Sequence, residues 1–179
     1  MSAETLAAFD LQPAGEWDAA DFWIPVVVIF VGNMLFGVFC QCVKDNSWID
    51  VWWGFTFVFP IIAVMIKRWV EGGSVYLRQY IVLGLVFIWA LRLGLHIGLR
   101  HKGEDFRYVN FRQTWQAEGN YWWKTFLYIF GMQGLFSLIV NCSALYVTIF
   151  TTNSDLIWLD YTGIAIWVFG FIFEWVGDQ

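Results

Sequence analysis

The chain has 179 residues, of which 59% are hydrophobic, 21% aromatic and 14% charged, and its formal net charge is −5. Soluble domains carry roughly 25% charged residues, so this composition excludes an ordinary soluble protein and indicates an integral membrane protein. The sequence has no extended basic segment outside its apolar runs, so a nucleic-acid partner is not expected.

Residues 1–21 form an acidic, Ala-rich N-terminal tail without Lys or Arg. Signal peptides and mitochondrial presequences are basic at this position, so we interpret the tail as part of the mature protein. Residues 22–179 are predicted to form one transmembrane domain, because a spanning helix needs about 20 apolar residues and five runs reach about that length. The runs cover residues 22–43, 49–66, 80–99, 126–150 and 156–176.

The sequence therefore predicts an all-α, polytopic membrane helix bundle with about five transmembrane helices and membrane lipids as its neighbours. Its membrane is not indicated, and the endoplasmic reticulum or another internal membrane fits equally. Loop cations predict the orientation, because Lys and Arg are retained on the cytoplasmic side. Six cations on one face against three on the other place the N-terminus outside or in the lumen and the C-terminus in the cytoplasm. The six are Lys44, Arg100, Lys102, Arg107, Arg112 and Lys124, and the three are Lys67, Arg68 and Arg78.

The second apolar run begins with SWIDVWWG, residues 47–54. Asp50 falls in the first helical turn, where the positive end of the helix dipole stabilises a carboxylate. A structural role there and a functional role beside Arg100, on the same face of the membrane, are equally open. The tryptophans of this segment are interpreted as an interfacial aromatic belt rather than as cofactor contacts.

In the third run, charged residues begin inside the apolar helix and continue into the loop that follows it, in the segment RLGLHIGLRHKGEDFRY of residues 92–108. Arg92, His96 and Arg100 are spaced i, i+4, i+8, which predicts one polar stripe along the helix. Arg92 lies about 12 Å deeper than Arg100, so it is expected to face a polar cavity or a carboxylate rather than lipid. An ionisable side chain inside a membrane costs several kcal/mol, which favours a functional site over a structural salt bridge.

The remaining polar residues are less specific as indicators of function. The loop of residues 100–125 alternates charged and aromatic side chains and is predicted to hold a short amphipathic helix on the cytoplasmic side. Gln133, Ser137 and Asn141 recur at i, i+4, i+8 in the fourth run, a pattern typical of hydrogen bonds between membrane helices. The three cysteines lie in apolar runs apart from the two histidines, so neither a disulfide framework nor a metal site is expected.

Three segments together resemble the steroid 5-alpha-reductase-like membrane family, in a poorly characterised branch that has the reductase C-terminal domain. They are residues 47–54, residues 92–108, and FEWVGDQ at residues 173–179. Members of that family are helix bundles with the N-terminus outside, which bind NADPH from the cytoplasmic side and reduce a double bond conjugated to a carbonyl. The resemblance implies NADPH as the cofactor and a hydrophobic enone as the substrate. It also implies that the family pattern continues past Gln179, so the chain is expected to be truncated after its first five helices.

The resemblance also implies catalytic roles. Hydride from NADPH would reach the alkene while a cation or acid polarises the carbonyl oxygen. Arg92 or His96 is the candidate for polarising that oxygen, and Tyr108 is the candidate proton donor. The family places a catalytic Glu and Tyr on its second and third helices, which this sequence does not match, so a steroid is not expected as the substrate.

Four residues are implied as cofactor contacts. Glu174 and Asp178 occupy the place of an Asn and an Asp that contact the cofactor in characterised reductases, with the Glu as a departure from the family pattern. Arg100 and Arg107 are candidates for the cofactor phosphates, which arginine binds bidentately.

Two other functions stay open. The chain is alternatively a non-catalytic structural or interaction subunit that keeps the same fold within a membrane complex and contacts partner membrane subunits. It is alternatively a relative of the membrane methyltransferases of the same superfamily, which use S-adenosylmethionine.

Overall fold

The computed structural model describes residues 19–152 and 155–178. Within these ranges the chain is all-helical without strands, and five segments are long and apolar enough to cross a membrane. The predicted all-α, multi-pass membrane bundle is therefore confirmed. Most of the acidic tail, residues 1–18, lies outside the described residues.

The described part of the chain contains nine α-helices and one π-helical segment. The first, third and fifth spans are single helices, the second is broken at Gly54, and the fourth contains the π-helical segment. In chain order the elements are α1 (Ala20–Val43), α2 (Trp48–Trp53), α3 (Phe55–Val70), α4 (Leu77–Arg100), α5 (Phe106–Ala117), α6 (Tyr121–Lys124), the π-helical segment (Thr125–Gly131), α7 (Met132–Val140), α8 (Cys142–Phe150) and α9 (Trp158–Gly177).

The two ends of the bundle differ in composition. We call the end at which α1 and α4 finish the loop end, because the 101–105 loop and the short helix α5 lie there. At the far end α3 and α8 finish. Each end has its own buried apolar cluster. The loop-end cluster consists of Cys40, Ile49, Tyr108, Ile129 and Phe130, and the far-end cluster of Ile61, Val64, Met65, Leu145 and Ile149.

Buried polar side chains connect the helices, as the pattern in the fourth run predicts for two of its three members. The hydroxyl groups of Ser137 and Thr56 lie 2.7 Å apart, and Asn141 Nδ2 donates to the carbonyl of Phe57 at 3.1 Å. Asn33 joins three elements in the same way, because it donates to the Phe130 carbonyl at 3.2 Å and accepts from Trp52 Nε1 at 3.0 Å. Such bonds hold helices together where lipid removes the hydrophobic driving force between them.

Small residues bring α2 and α4 into close contact. A Cβ atom at Gly54 would lie 3.0 Å from the Cα atom of Ala90, and one at Gly94 would lie 3.3 Å from the carbonyl oxygen of Val51. These two approaches determine the antiparallel register of the two helices. As a result, the first turns of α2 lie beside the last turns of α4, where the sequence places its polar stripe.

Candidate functional site

A cleft of about 590 Å³ opens at the loop end between α2, α4, α5 and α7. This is a volume typical of small-molecule sites. Its lining combines charged, aromatic and aliphatic side chains: Ser47, Asp50, Trp53, Leu93, His96, Ile97, Arg100, His101, Lys102, Gly103, Asp105, Arg107 and Gln133.

Helical spacing explains which residues face the cleft. Ser47, Asp50 and Trp53 are three residues apart, so they share one face of the α2 region. On α4 the lining residues are Leu93, His96, Ile97 and Arg100, which follow the i, i+3, i+4, i+7 pattern of one helix face.

The register of α2 against α4 divides the cleft into three levels. Ser47 and Arg100 lie at its mouth, Asp50 and His96 in its middle, and Trp53 and Leu93 at its deep end. Polarity therefore decreases with depth into the membrane.

Asp50 is the central carboxylate of the cleft. The Tyr108 hydroxyl donates to Asp50 Oδ1 at 2.7 Å, and the Arg107 guanidinium lies 3.3 Å from Oδ2. Arg107 also binds Asp105 through its Nε atom at 2.9 Å. Asp50 lies in the first turn of α2 and lines the same cleft as Arg100.

These contacts shift the proton affinities of the groups on α5 and its N-cap. Burial, and then the neighbouring Asp50 carboxylate, raise the pKa of Tyr108 well above its usual range. The side-chain and backbone hydrogen bonds from Arg107 lower the pKa of Asp105, and the hydrogen bond to Asp105 raises the pKa of Arg107. Tyr108 is therefore a neutral donor to Asp50 at ordinary pH, and Arg107 is a fixed cation between two carboxylates.

The predicted stripe of Arg92, His96 and Arg100 divides between two sites. With 3.6 residues per turn, each i, i+4 step rotates by about 40°, so eight residues turn the stripe by about 80°. His96 and Arg100 line the cleft, where His96 Nε2 and the Arg100 guanidinium lie 3.1 Å apart. Arg92 instead points to α9.

On α9, Arg92 meets the pair that the resemblance implies for the cofactor. The guanidinium of Arg92 binds Glu174 Oε1 at 2.5 Å and also binds Asp178. Trp89 Nε1 donates to the second oxygen of Glu174 at 3.0 Å. The structure thus brings three predicted site residues together as an ion-pair cluster, which does not line the cleft.

The 101–105 loop is held against the α1–α2 turn by side chains that sequence reasoning missed. His101 Nε2 lies 2.7 Å from Asp45 Oδ2, and Glu104 accepts from the backbone N–H of Asn46 at 2.8 Å. Arg112 then holds Glu104 through two nitrogen atoms, at 3.1 and 2.7 Å. Ser47 has the position of a helix N-cap, but its hydroxyl contacts Asp45 and accepts from the Asp105 N–H.

Two cations of the cleft have no carboxylate partner among the described residues. Arg100 and Lys102 line the mouth and take part in none of the ion pairs found in residues 19–152 and 155–178. Over the same residues, no group of three or more His, Cys, Asp or Glu side chains has the geometry to hold a metal ion. The mouth of the cleft is therefore suited to an anionic group.

Comparison with known protein families matches residues 36–179 to the family described as a protein of unknown function, DUF1295. The chain belongs to this family. DUF1295 lies within the steroid 5-alpha-reductase-like superfamily, so the resemblance is confirmed at the level of the superfamily. Searches of curated proteins and of solved structures each found no match.

Proposed function

We propose that this DUF1295 protein is an NADPH-dependent reductase of a hydrophobic enone, and that the loop-end cleft is its active site. The observation that carries the proposal is the Tyr108–Asp50 pair. Asp50 faces the cleft at the level of His96, and Tyr108 donates to it from a buried position. A carboxylate with an adjacent neutral hydroxyl donor can hold and move a proton beside a bound substrate.

The mouth of the cleft fits the phosphates of NADPH. Arg100 and Lys102 have no carboxylate partner among the described residues, whereas Arg107 is already bound by Asp105 and Asp50. Of the two arginines predicted to contact phosphates, Arg100 is therefore the better candidate. The cofactor would supply the hydride, and these side chains would hold its anionic part at the membrane surface.

The ion-pair cluster of Arg92, Glu174 and Asp178 affects which of the other predicted residues are the better candidates for the site. Arg92 is neutralised by two carboxylates, so His96 is the better of the two candidates for polarising the substrate carbonyl. Glu174 uses both of its oxygens, on Arg92 and Trp89, whereas Asp178 binds Arg92 through one. Asp178 is therefore the better candidate to accept from a ribose hydroxyl.

Titration of the purified protein in detergent with NADPH tests the proposal. We expect saturable binding that Arg100→Ala weakens by about tenfold or more, because a hydrogen bond to a charged group contributes about 1.5–3 kcal/mol. Lys124→Ala is the matched control, since Lys124 is a loop-end cation bound to Glu118 and does not line the cleft.

The same titration separates the alternatives. Saturable binding of S-adenosylmethionine without NADPH binding would favour a methyltransferase, and binding of neither would favour a structural subunit. With NADPH and a hydrophobic enone present, Asp50→Asn is expected to reduce the rate of NADPH oxidation by about a hundredfold or more, within the range for loss of a general acid–base group.

A further inference from the structure

A carboxylate lies at the mouth of the cleft, among the cations that would bind an anionic group. Asp105 lines the cleft, and its backbone N–H donates to Ser47 Oγ at 3.2 Å, at the level of the mouth. Three Lys and Arg side chains also line the cleft, namely Arg100, Lys102 and Arg107. Of these, only Arg107 is held by a carboxylate within the described residues. One of the three cations is therefore occupied by the protein itself.

Asp105 binds the guanidinium of Arg107 through both of its carboxylate oxygens. Arg107 Nε lies 2.9 Å from Oδ1, and Nη2 lies 3.3 Å from Oδ2. Asp105 is also the N-cap of α5, and its Oδ1 accepts from the backbone N–H of Arg107 at 2.9 Å. These hydrogen bonds lower the pKa of Asp105, so the group is a carboxylate at ordinary pH. A carboxylate thus occupies the two-pronged edge of arginine that also fits a phosphate.

We propose that Asp105 is a specificity residue of the cleft, an internal anion that competes with the phosphate groups of the ligand for Arg107. The proposal rests on the function assigned to the cleft in the preceding section. A phosphate binds the same edge of the guanidinium that the carboxylate occupies, so a ligand gains Arg107 only by displacing Asp105. The competition keeps the affinity of the mouth for anions below the level that three available cations would provide.

The exposure of the ion pair makes this exchange feasible. The Arg107 side chain is 55% exposed and the Asp105 side chain is 34% exposed. Water screens an exposed pair, so the pair is weak. A phosphate that also contacts the two unpaired cations of the mouth can displace the carboxylate from it. Asp50 has a second partner, the Tyr108 hydroxyl at 2.7 Å, and therefore keeps a hydrogen bond when Arg107 moves to a ligand.

Substitution of Asp105 by asparagine tests the proposal, because it removes the charge and keeps the helix cap. Asparagine is as favourable an N-cap as aspartate, so α5 keeps its start. The probes are inorganic pyrophosphate and NADPH, each titrated into the purified full chain in detergent. We expect Asp105→Asn to bind both probes about threefold to tenfold more tightly than the wild type, the effect of one charged hydrogen bond at a partly exposed site.

Two further substitutions show whether the gain depends on Arg107. Glu118→Gln is the matched control, because Glu118 is a loop-end carboxylate that binds Lys124 and does not line the cleft. This variant should bind both probes as the wild type does. Arg107→Gln removes the guanidinium for which the two anions compete. In the Arg107→Gln background, Asp105→Asn should therefore raise the affinities by less than about twofold.

The outcomes separate this proposal from the proposed function. If NADPH binds the wild type and Asp105→Asn leaves both affinities unchanged or lower, competition for Arg107 is wrong and the reductase proposal survives. An equal gain from Asp105→Asn with and without Arg107 would also overturn the competition, because it would show that Asp105 acts by repulsion alone. Tighter binding of pyrophosphate that requires Arg107, without saturable NADPH binding by any variant, would support the competition and remove the proposed function. If neither probe binds any variant, both proposals fail.

Discussion

The hydrogen bond from Tyr108 to Asp50 joins α5 to the first turn of the second spanning segment. Tyr108 is 6% exposed, and its hydroxyl lies 2.7 Å from Asp50 Oδ1. Because the tyrosine is buried against a carboxylate, its ionised form is strongly disfavoured in the native protein and freely accessible in the unfolded chain. Ionisation of this one residue is therefore expected to lower the stability of the protein at alkaline pH.

We predict that Tyr108→Phe reduces the alkaline loss of stability. The pKa of Tyr108 is raised in the native protein, so its contribution is complete below the unfolded pKa of about 10 and is lost as the pH rises above it. The midpoint of thermal unfolding in detergent, measured between about pH 8 and 11, should fall less steeply in the variant than in the wild type. Tyr128→Phe is the control, because Tyr128 is exposed. Parallel curves for wild type and Tyr108→Phe would contradict the prediction.

Residue identities were easier to predict from the sequence than residue partners. The spacing of Arg92, His96 and Arg100 correctly marked polar residues that lie inside a membrane helix. The spacing did not show that Arg92 belongs to a different site from His96 and Arg100. The stripe rotates by about 80° over its eight residues, and this rotation matters only when the position of α9 is known. The sequence predicts a place for Trp53 in an interfacial aromatic belt, and it does not show that the buried N–H of this residue has no acceptor among the described residues.

At the scale of elements, α1 and the π-helical segment pack at a distance that only glycine allows. A Cβ atom at Gly37 would lie 2.9 Å from the ring of Phe130, which is fully buried and cannot move aside. We predict that Gly37→Ala lowers the free energy of unfolding by about 1–3 kcal/mol, the usual cost of overpacking. The measurement is unfolding in mixed micelles of increasing denaturing-detergent content.

Gly84→Ala is the matched control for that experiment. Gly84 lies inside α4, and a Cβ atom there has no neighbour within 4 Å. The higher helix propensity of alanine should therefore leave stability unchanged or raise it by up to about 1 kcal/mol. Equal effects of the two substitutions would show that Gly37 is not at a close contact.

The attachment of α9 depends on polar contacts with α4. No residue of α9 is buried, and the helix is held near its two ends by Arg92 with Glu174 and Asp178, and by Arg78 with Asp160. Ion pairs thus help to hold α9 against α4, whereas buried apolar packing holds other helices of the bundle together.

We predict an energetic coupling of about 1–2 kcal/mol between Arg92 and Glu174. The coupling energy is modest because the Glu174 side chain is 39% exposed, which allows solvent to screen its interaction with Arg92. A double-mutant cycle of Arg92→Met and Glu174→Gln, measured by unfolding in the same micelles, gives the coupling directly. A pairing of Lys124→Met with Glu118→Gln, which joins residues on the α5–α6 side of the loop end, provides a comparison at a more exposed site. Additive effects of Arg92→Met and Glu174→Gln would contradict the prediction.

The number and class of the spanning segments could be predicted from the sequence, but not their interruptions. Apolar runs of sufficient length predicted five spanning helices, because a bilayer requires the backbone to satisfy its own hydrogen bonds. The break at Gly54 and the π-helical turn at Thr125–Gly131 had no signal in the apolar pattern. The family resemblance supplied the chemistry that the apolar pattern could not.

At the scale of the whole molecule, the cleft is useful to a soluble cofactor only if its mouth faces the compartment that holds that cofactor. The loop end carries six Lys and Arg residues against three at the far end, which predicts that the loop end is cytoplasmic. The proposed NADPH site and the predicted orientation are thus linked, because both require Arg100 and Lys102 to face the cytoplasm.

We predict that Lys102→Cys, in the α4–α5 loop, reacts with a membrane-impermeant maleimide only after the cells are permeabilised. Gly72→Cys, at the far end and also exposed, should react in intact cells. Unsubstituted protein provides the background for the native thiols, of which Cys40 is buried. Labelling of Lys102→Cys in intact cells and protection of Gly72→Cys would reverse the orientation. The cleft would then open away from the cytoplasm, and a cytoplasmic NADPH pool could not reach Arg100.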